Sequence, residues 1–198
     1  MKLFWAPRSR SMRALWMMEE IGQPYERALI DIRSGVQDQP DYRKVNPLGK
    51  VPAIEDDGVF VSESGAVIAY LADRYPEAGL APAIGDPARG PYLKWLFFSS
   101  VIEGAMLEKF AKLELPKSTV GWGSYALVVD ALDQALAKGP WLLGERFTAA
   151  DVLIGSDIWF AVDQFKVFER RPNFSAYIER CLARPALQRA IAIDAAGV

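Results

Sequence analysis

The run Asn46–Leu71, NPLGKVPAIEDDGVFVSESGAVIAYL, carries three structural signals in succession. Pro52 opens the apolar run VPAIED; a proline has no N–H to give to a ladder, so it belongs at a strand entry. The runs VPAIED and VFVS flank Asp57-Gly58, a dipeptide that suits a two-residue hairpin turn because both positions tolerate positive φ. Val67, Ile68, Leu71 and Tyr75 then recur at helical spacing. The order is strand, turn, strand, helix, a β-β-α unit.

Working outward, KLFW reads as a strand, SMRALWMMEEIG as an amphipathic helix ended by Gly22, and YERALIDI as a second strand. That β-α-β order predicts a parallel pair with a right-handed crossover. Residues 1–76 therefore form a small mixed sheet with helices. In PEAGLAPAIGDPARGP four prolines and three glycines fall within sixteen residues, which marks a linker over 77–87. Beyond it, YLKWLFFSSVIEGAMLEKFAKLEL, GSYALVVDALDQALAKG, AADVLIGSDIWFAVDQF, NFSAYIERCLA and PALQRAIAID all have helical periodicity. The fold class is α/β followed by all-α, with residues 88–198 as a domain of about five helices.

Composition narrows the chemistry. In 198 residues, 51% are apolar, enough for a substantial core, and the formal net charge is −2. Charge-driven nucleic-acid binding is not expected from this balance. The opening MKLFWAPRSRS has no signal-peptide plan, and no apolar run approaches the roughly 18 residues of a membrane span. Cys181, the single cysteine, has no partner for an internal disulfide, which fits a reducing cytoplasm. The absence of histidine removes Ser-His-Asp, Cys-His and His-ligand metal schemes together, and no metal is expected.

Three places remain as candidates. A cis bond before Pro52 would turn the backbone N–H and C=O of Val51 toward an extended ligand; an ordinary trans proline at a strand start explains the residue as well. Ser62, Glu63 and Ser64 lie where a helix begins, with unpaired N–H donors and a positive dipole end. Ser64 and the backbone there suit a carboxylate and Glu63 an ammonium, while simple capping accounts for the same residues. In APRSRSMR, Ser9 and Ser11 precede a helix amid Arg8, Arg10 and Arg13. Lacking a base, neither serine is a nucleophile; either can donate a hydrogen bond to the thiolate of another molecule or cap the helix. Lowering a free thiol from about 8.5 by two pKa units takes about 2.7 kcal/mol, the size of one charge-assisted hydrogen bond plus a dipole end.

Taken together, these residues resemble the glutathione transferase family over essentially the whole chain. NPLGKVPAI and SESGAVIAYL match its N-P-x-G-x-V-P and E-S-x-A-I-x-x-Y-L patterns, separated by about ten residues and followed by a proline-rich linker and a helical domain. The resemblance implies a thioredoxin-like domain before an all-helical one, usually in a homodimer. It implies that Val51 pairs with the cysteinyl unit of glutathione and that Pro52 is the family's cis-proline. Glu63 and Ser64 would grip the γ-glutamyl group, and Lys50 would reach the glycyl carboxylate. PRSRSMR is similar to the serine-type first turn, in which a serine four residues before the helix arginine activates the thiol. That spacing from Arg13 selects Ser9, with Ser11 as alternative and Arg10 as added charge. FTAAD resembles the family's capping box, Thr148 with Asp151.

Some features depart from relatives. Gly65 follows the acid-serine pair, the first turn has no cysteine, and PRSRS differs from the S-S-C-S of the maleylacetoacetate isomerase branch. The expectation is a cytoplasmic, homodimeric bacterial-type transferase that uses glutathione as co-substrate and conjugates it to an apolar electrophile in detoxification. Met106 and Phe110, at i and i+4, would line the electrophile pocket, or else serve as plain core. A glutathione-binding or interaction module with little turnover is the alternative. A thiol oxidoreductase would need a C-x-x-C that the chain lacks.

Overall fold

The computed structural model describes residues 1–197. The chain divides into two compact units: Met1–Gly79 together with the segment from Ala183 onward, and Leu80–Leu182. The first contains strand β1 (Lys2–Trp5), helix α1 (Met12–Ile21), β2 (Glu26–Leu29), short helix α2 (Pro40–Val45), β3 (Ala53–Asp56), β4 (Val59–Ser62) and α3 (Ser64–Arg74). The sheet order is β2-β1-β3-β4. β1 and β2 are parallel, as expected of a β-α-β crossover, whereas β3 runs antiparallel to β1 and β4. Asp57 and Gly58 have φ of 50° and 81°, the double positive φ that lets the β3–β4 hairpin turn follow the strand twist.

The predicted elements are all present, and α2 is an addition. It lies in the stretch SGVQDQPDYRKVNPLG, where Pro40 starts the helix and supplies a preset φ. The C-terminal segment departs from the domain boundaries expected above. Its helix, α8 (Pro185–Ala196), packs on α1 in the first unit rather than joining the other helices. The reason is visible in α1, where Met12 through Met18 are buried without a break. A one-sided amphipathic helix exposes part of each turn. Here β1, α3 and α8 all pack against α1, so its whole circumference is covered. Glu20 accepts a bidentate pair from Arg184 at 2.6 and 2.7 Å, and Arg189 Nε donates to Glu19 at 2.8 Å.

The second unit is helical: α4 (Arg89–Ala111), α5 (Tyr125–Leu136), α6 (Ala149–Trp159) and α7 (Pro172–Leu182). α6 is its centre, buried continuously from Ala149 to Ile158, and α4 and α7 pack against it. Its N-terminus is closed by the expected capping box. Asp151 accepts from the Thr148 N–H at 2.9 Å, and also from the Leu142 N–H and the Tyr177 hydroxyl, each at 2.9 Å. A single π-helical turn, Phe160–Gln164, follows α6.

Candidate functional site

Between β1 and α1 the chain makes a tight turn whose two serine hydroxyls point back into it. Ser9 Oγ lies 2.7 Å from the Ala6 carbonyl and 2.6 Å from Ser11 Oγ. Ser11 Oγ lies 2.8 Å from the same carbonyl and accepts the Ala6 N–H at 3.0 Å. Neither hydroxyl caps α1, because the turn between Ser9 and Arg13 is closed by backbone bonds from Met12 to Ser9 and from Arg13 to Arg10. Two hydroxyl protons thus face three short oxygen contacts, and one contact is always without its own proton. If Ser11 donates to Ala6, the Ser9 proton is available to another acceptor and the carbonyl stays satisfied. The two serines differ in access. Ser11 is fully buried, at 0% exposure, whereas Ser9 is half-buried and Arg10 exposed.

The second element is the loop ahead of β3. The Val51–Pro52 bond is cis. Asn46 organises the turn before it: its carbonyl accepts the Gly49 N–H at 2.9 Å, its side-chain oxygen the Leu48 N–H at 3.0 Å, and its side-chain amide donates to the Lys50 carbonyl at 2.9 Å. Tyr42, from α2, donates its hydroxyl to that same carbonyl at 2.7 Å, and burial pushes its pKa up to about 12. Gly49 has φ of 61°, and a Cβ there would meet the Gln37 carbonyl at 2.7 Å. Lys50 itself is exposed, so the loop fixes its backbone and leaves its side chain in solvent. The sequence reading did not single out Tyr42 or Asn46; an asparagine starting N-P-L-G-K was the available signal.

The third element is the β4–α3 junction. Glu63 stands at the N-cap of α3 with φ 68° and ψ 121°, and Ser64 is the first helical residue. A non-glycine residue at positive φ is uncommon, and the Glu63 side chain is exposed. The base of the hairpin is tied to α3 by Asp56, which accepts from the Tyr70 hydroxyl at 2.7 Å and Arg74 Nε at 3.2 Å. The Tyr70 hydrogen bond, then the Arg74 guanidinium, hold the Asp56 carboxyl below its ordinary value.

Strand register brings these three elements to one end of the sheet. Phe4 is opposite Ala53, and Ala53 is opposite Ser62. The exit of β1 toward Ser9, the entry of β3 after Val51-Pro52 and the exit of β4 toward Glu63-Ser64 therefore share an edge. That end of the sheet combines a hydroxyl, the Val51-Pro52 strand entry, an acid and a helix N-terminus.

The two residues expected to line an electrophile pocket part company within the helical unit. Met106 is buried, at 6% exposure, so its packing role accounts for it. Phe110 is 52% exposed and meets Phe165 edge-to-face at 5.6 Å, with Phe160 a further 6.3 Å from Phe165. Trp122 lies against Gly104 on the same helix, where a Cβ would come within 2.5 Å of the indole, and its Nε1 donates to Glu108 at 2.7 Å.

Known proteins share this fold. The family model for the N-terminal domain of glutathione S-transferase matches residues 8–74, and that for the C-terminal domain matches 120–180. A curated glutathione S-transferase 3 of Schizosaccharomyces pombe is 30% identical over 90% of this chain and 81% of its own length. The chain belongs to the glutathione S-transferase family. A crystal structure of a glutathione transferase from Methylococcus capsulatus is 31% identical, covers 98% of both chains and has a TM-score of 0.81. A sphingomonad glutathione S-transferase, solved in complex with glutathione, is 29% identical with a TM-score of 0.82, covering 98% of this chain and 99% of that one. The thioredoxin-like order of the first unit and the helical second unit are those of the family. Among the described residues, no helix is long and apolar enough to cross a membrane.

Proposed function

We propose that this glutathione transferase lowers the thiol pKa of bound glutathione with Ser9 and delivers the thiolate to an apolar electrophile. The observation that carries the reading is the shared sheet edge, with Phe4, Ala53 and Ser62 in one row. An extended tripeptide along it would pair its cysteinyl unit with the Val51 backbone. Its γ-glutamyl ammonium would meet Glu63, and its carboxylate the Ser64 hydroxyl and the first N–H groups of α3. Lys50 would reach the glycyl carboxylate, and Arg10 would add positive potential.

Chemistry follows from the hydroxyl accounting. As the thiol gives its proton to solvent water, the Ser9 hydroxyl turns its own proton from the Ala6 carbonyl to the sulfur, and Ser11 keeps that carbonyl satisfied. The thiolate lone pair then forms the carbon–sulfur bond while the leaving group departs with the old bonding pair. The protein contributes binding and preorganised polarisation, and glutathione the nucleophile. Within the helical unit, the exposed ring of Phe110, with Phe165 beside it, is the apolar surface expected to meet an electrophile, and Met106 is buried as core.

A steady-state assay with glutathione and an activated aryl halide, with Ser9→Ala alongside, tests this. The variant should raise the pKa of the bound thiol by one to two units and lower kcat/KM near pH 7 about 10- to 100-fold. Tight glutathione binding without turnover on several electrophile classes would instead make the protein a binding module. The reading includes a homodimer in the cytoplasm. In its support, Val59, Phe60 and Phe97 are 56%, 43% and 74% exposed, apolar surface for a second copy to bury, and Cys181 is buried and outside any disulfide. A monomeric sedimentation coefficient at micromolar concentration would exclude the dimer.

A further inference from the structure

The helix α8 reaches the serine turn through Asp194. Arg8, immediately before Ser9, has φ of 56°, left-handed and rare for a residue with a Cβ. Its backbone N–H donates to both carboxylate oxygens of Asp194, at 3.0 and 3.2 Å. The contact joins residues 186 positions apart in sequence and lies wholly within the first unit.

Asp194 stands where stability alone would not put an acid. It is in the last turn of α8, at the negative end of the helix dipole, and that turn has no basic residue. Burial pushes its carboxyl up, partly offset by the Arg8 N–H. Nor is it required to dock the helix, since Arg184 with Glu20 and Arg189 with Glu19 already fasten α8 to α1.

We propose that Asp194 is a positioning residue that locks the Arg8 backbone in its left-handed conformation and so aims the Ser9 hydroxyl. The φ of Arg8 sets the direction in which the peptide leads into Ser9. In the observed conformation Ser9 Oγ falls within hydrogen-bond distance of both Ala6 O and Ser11 Oγ. Were Arg8 to relax to negative φ, the Ser9 hydroxyl would leave that pair and lose its aim, while Ser11 would keep the Ala6 carbonyl. Asp194 touches neither thiol nor electrophile; it acts through the turn. The inference rests on Ser9 being the activating group, and the test separates the two.

The test is a double-mutant cycle of Asp194→Ala and Ser9→Ala, read by ultraviolet titration of bound glutathione and by kcat and KM with an activated aryl halide. Asp194→Ala should raise the thiol pKa by about one unit and lower kcat near pH 7 about tenfold. KM for glutathione should stay within about twofold, because binding groups at Val51, Glu63 and Ser64 are untouched. In the Ser9→Ala background the same change should add nothing. Arg189→Ala, which loosens α8 at its Glu19 contact, should lower Tm without moving the thiol pKa. Equal losses in both backgrounds would overturn the proposal, as would an unmoved thiol pKa in Asp194→Ala with the Arg8 amide exchanging faster. Should Asp194→Ala not fold, Asp194→Asn serves: its side-chain oxygen still accepts one bond, so an intermediate pKa shift supports the proposal and no shift overturns it. A bound-thiol pKa left at its parent value in Ser9→Ala alone would instead remove the Ser9 reading.

Discussion

Ser9 and Ser11 lie 2.6 Å apart and bond to the same carbonyl, yet they answer different questions. Ser11 is sealed from solvent and serves Ala6 twice, accepting its N–H and lying at its C=O. Removing that hydroxyl leaves a buried N–H without an acceptor, a loss of about 1–2 kcal/mol. Ser11→Ala should therefore lower the denaturant midpoint with m unchanged, whereas Ser9→Ala should move the thiol pKa and leave the midpoint nearly where it was. Stability loss confined to Ser9→Ala would exchange the two roles. From the sequence, the resemblance to the serine-type first turn favours Ser9, four residues before Arg13, with Ser11 as the alternative. That both hydroxyls turn back to Ala6 instead of capping α1 was not legible, because it depends on the φ of Arg8, held by a residue at the far end of the chain.

Among the elements, two buried carboxylates show how much depends on partners. Asp151, at the start of α6, is pushed up by burial even though the Leu142 and Thr148 amides, Tyr177 and the Thr148 hydroxyl all donate toward it. Asp151→Ala would orphan at least three buried donors, so the loss should exceed the ~1 kcal/mol of an ordinary cap and reach about 3 kcal/mol. An unchanged unfolding midpoint would refute this. Asp56 is held down, chiefly by Tyr70 and Arg74. A depressed folded pKa means that its stabilisation is present above the unfolded value of about 4 and is lost as pH falls through the folded one. Asp56→Asn should thus be less stable than the parent at pH 7 and converge with it near pH 2; parallel curves throughout would show that Asp56 does not titrate on folding. The elements themselves were legible because alternation, Asp57-Gly58 and the Thr148–Asp151 spacing are local signals. The short helix α2 was not, since its six residues are too few for periodicity to declare.

At the scale of the molecule, the last helix divides what sequence can say from what it cannot. Periodicity in PALQRAIAID correctly indicates an amphipathic helix, but a helical stripe names no partner, and chain order suggested the neighbouring helices. The missing clue was in α1, whose SMRALWMMEEIG contains more apolar bulk than one buried face needs. Trp16, Met17 and Met18 are all at 0% exposure in a structure where α8 covers part of that helix. Ending the chain at Leu182 would strip away the buried Ala186, Leu187 and Ala190 and uncover the α1 surface beneath them. Each lost methyl or methylene of buried surface is worth about 0.8 kcal/mol, so those three side chains alone account for roughly 5 kcal/mol. A small α/β unit has little stability to spare at that scale, because whole domains rest on a margin of about 5–15 kcal/mol. Truncation should therefore collapse amide protection in β1 and α1, while the α6 amides, buried in the other unit and capped by Asp151, keep theirs. Equal loss of protection in α1 and α6 would mean that α8 supports both units, and intact protection in α1 would mean that its other neighbours suffice without α8.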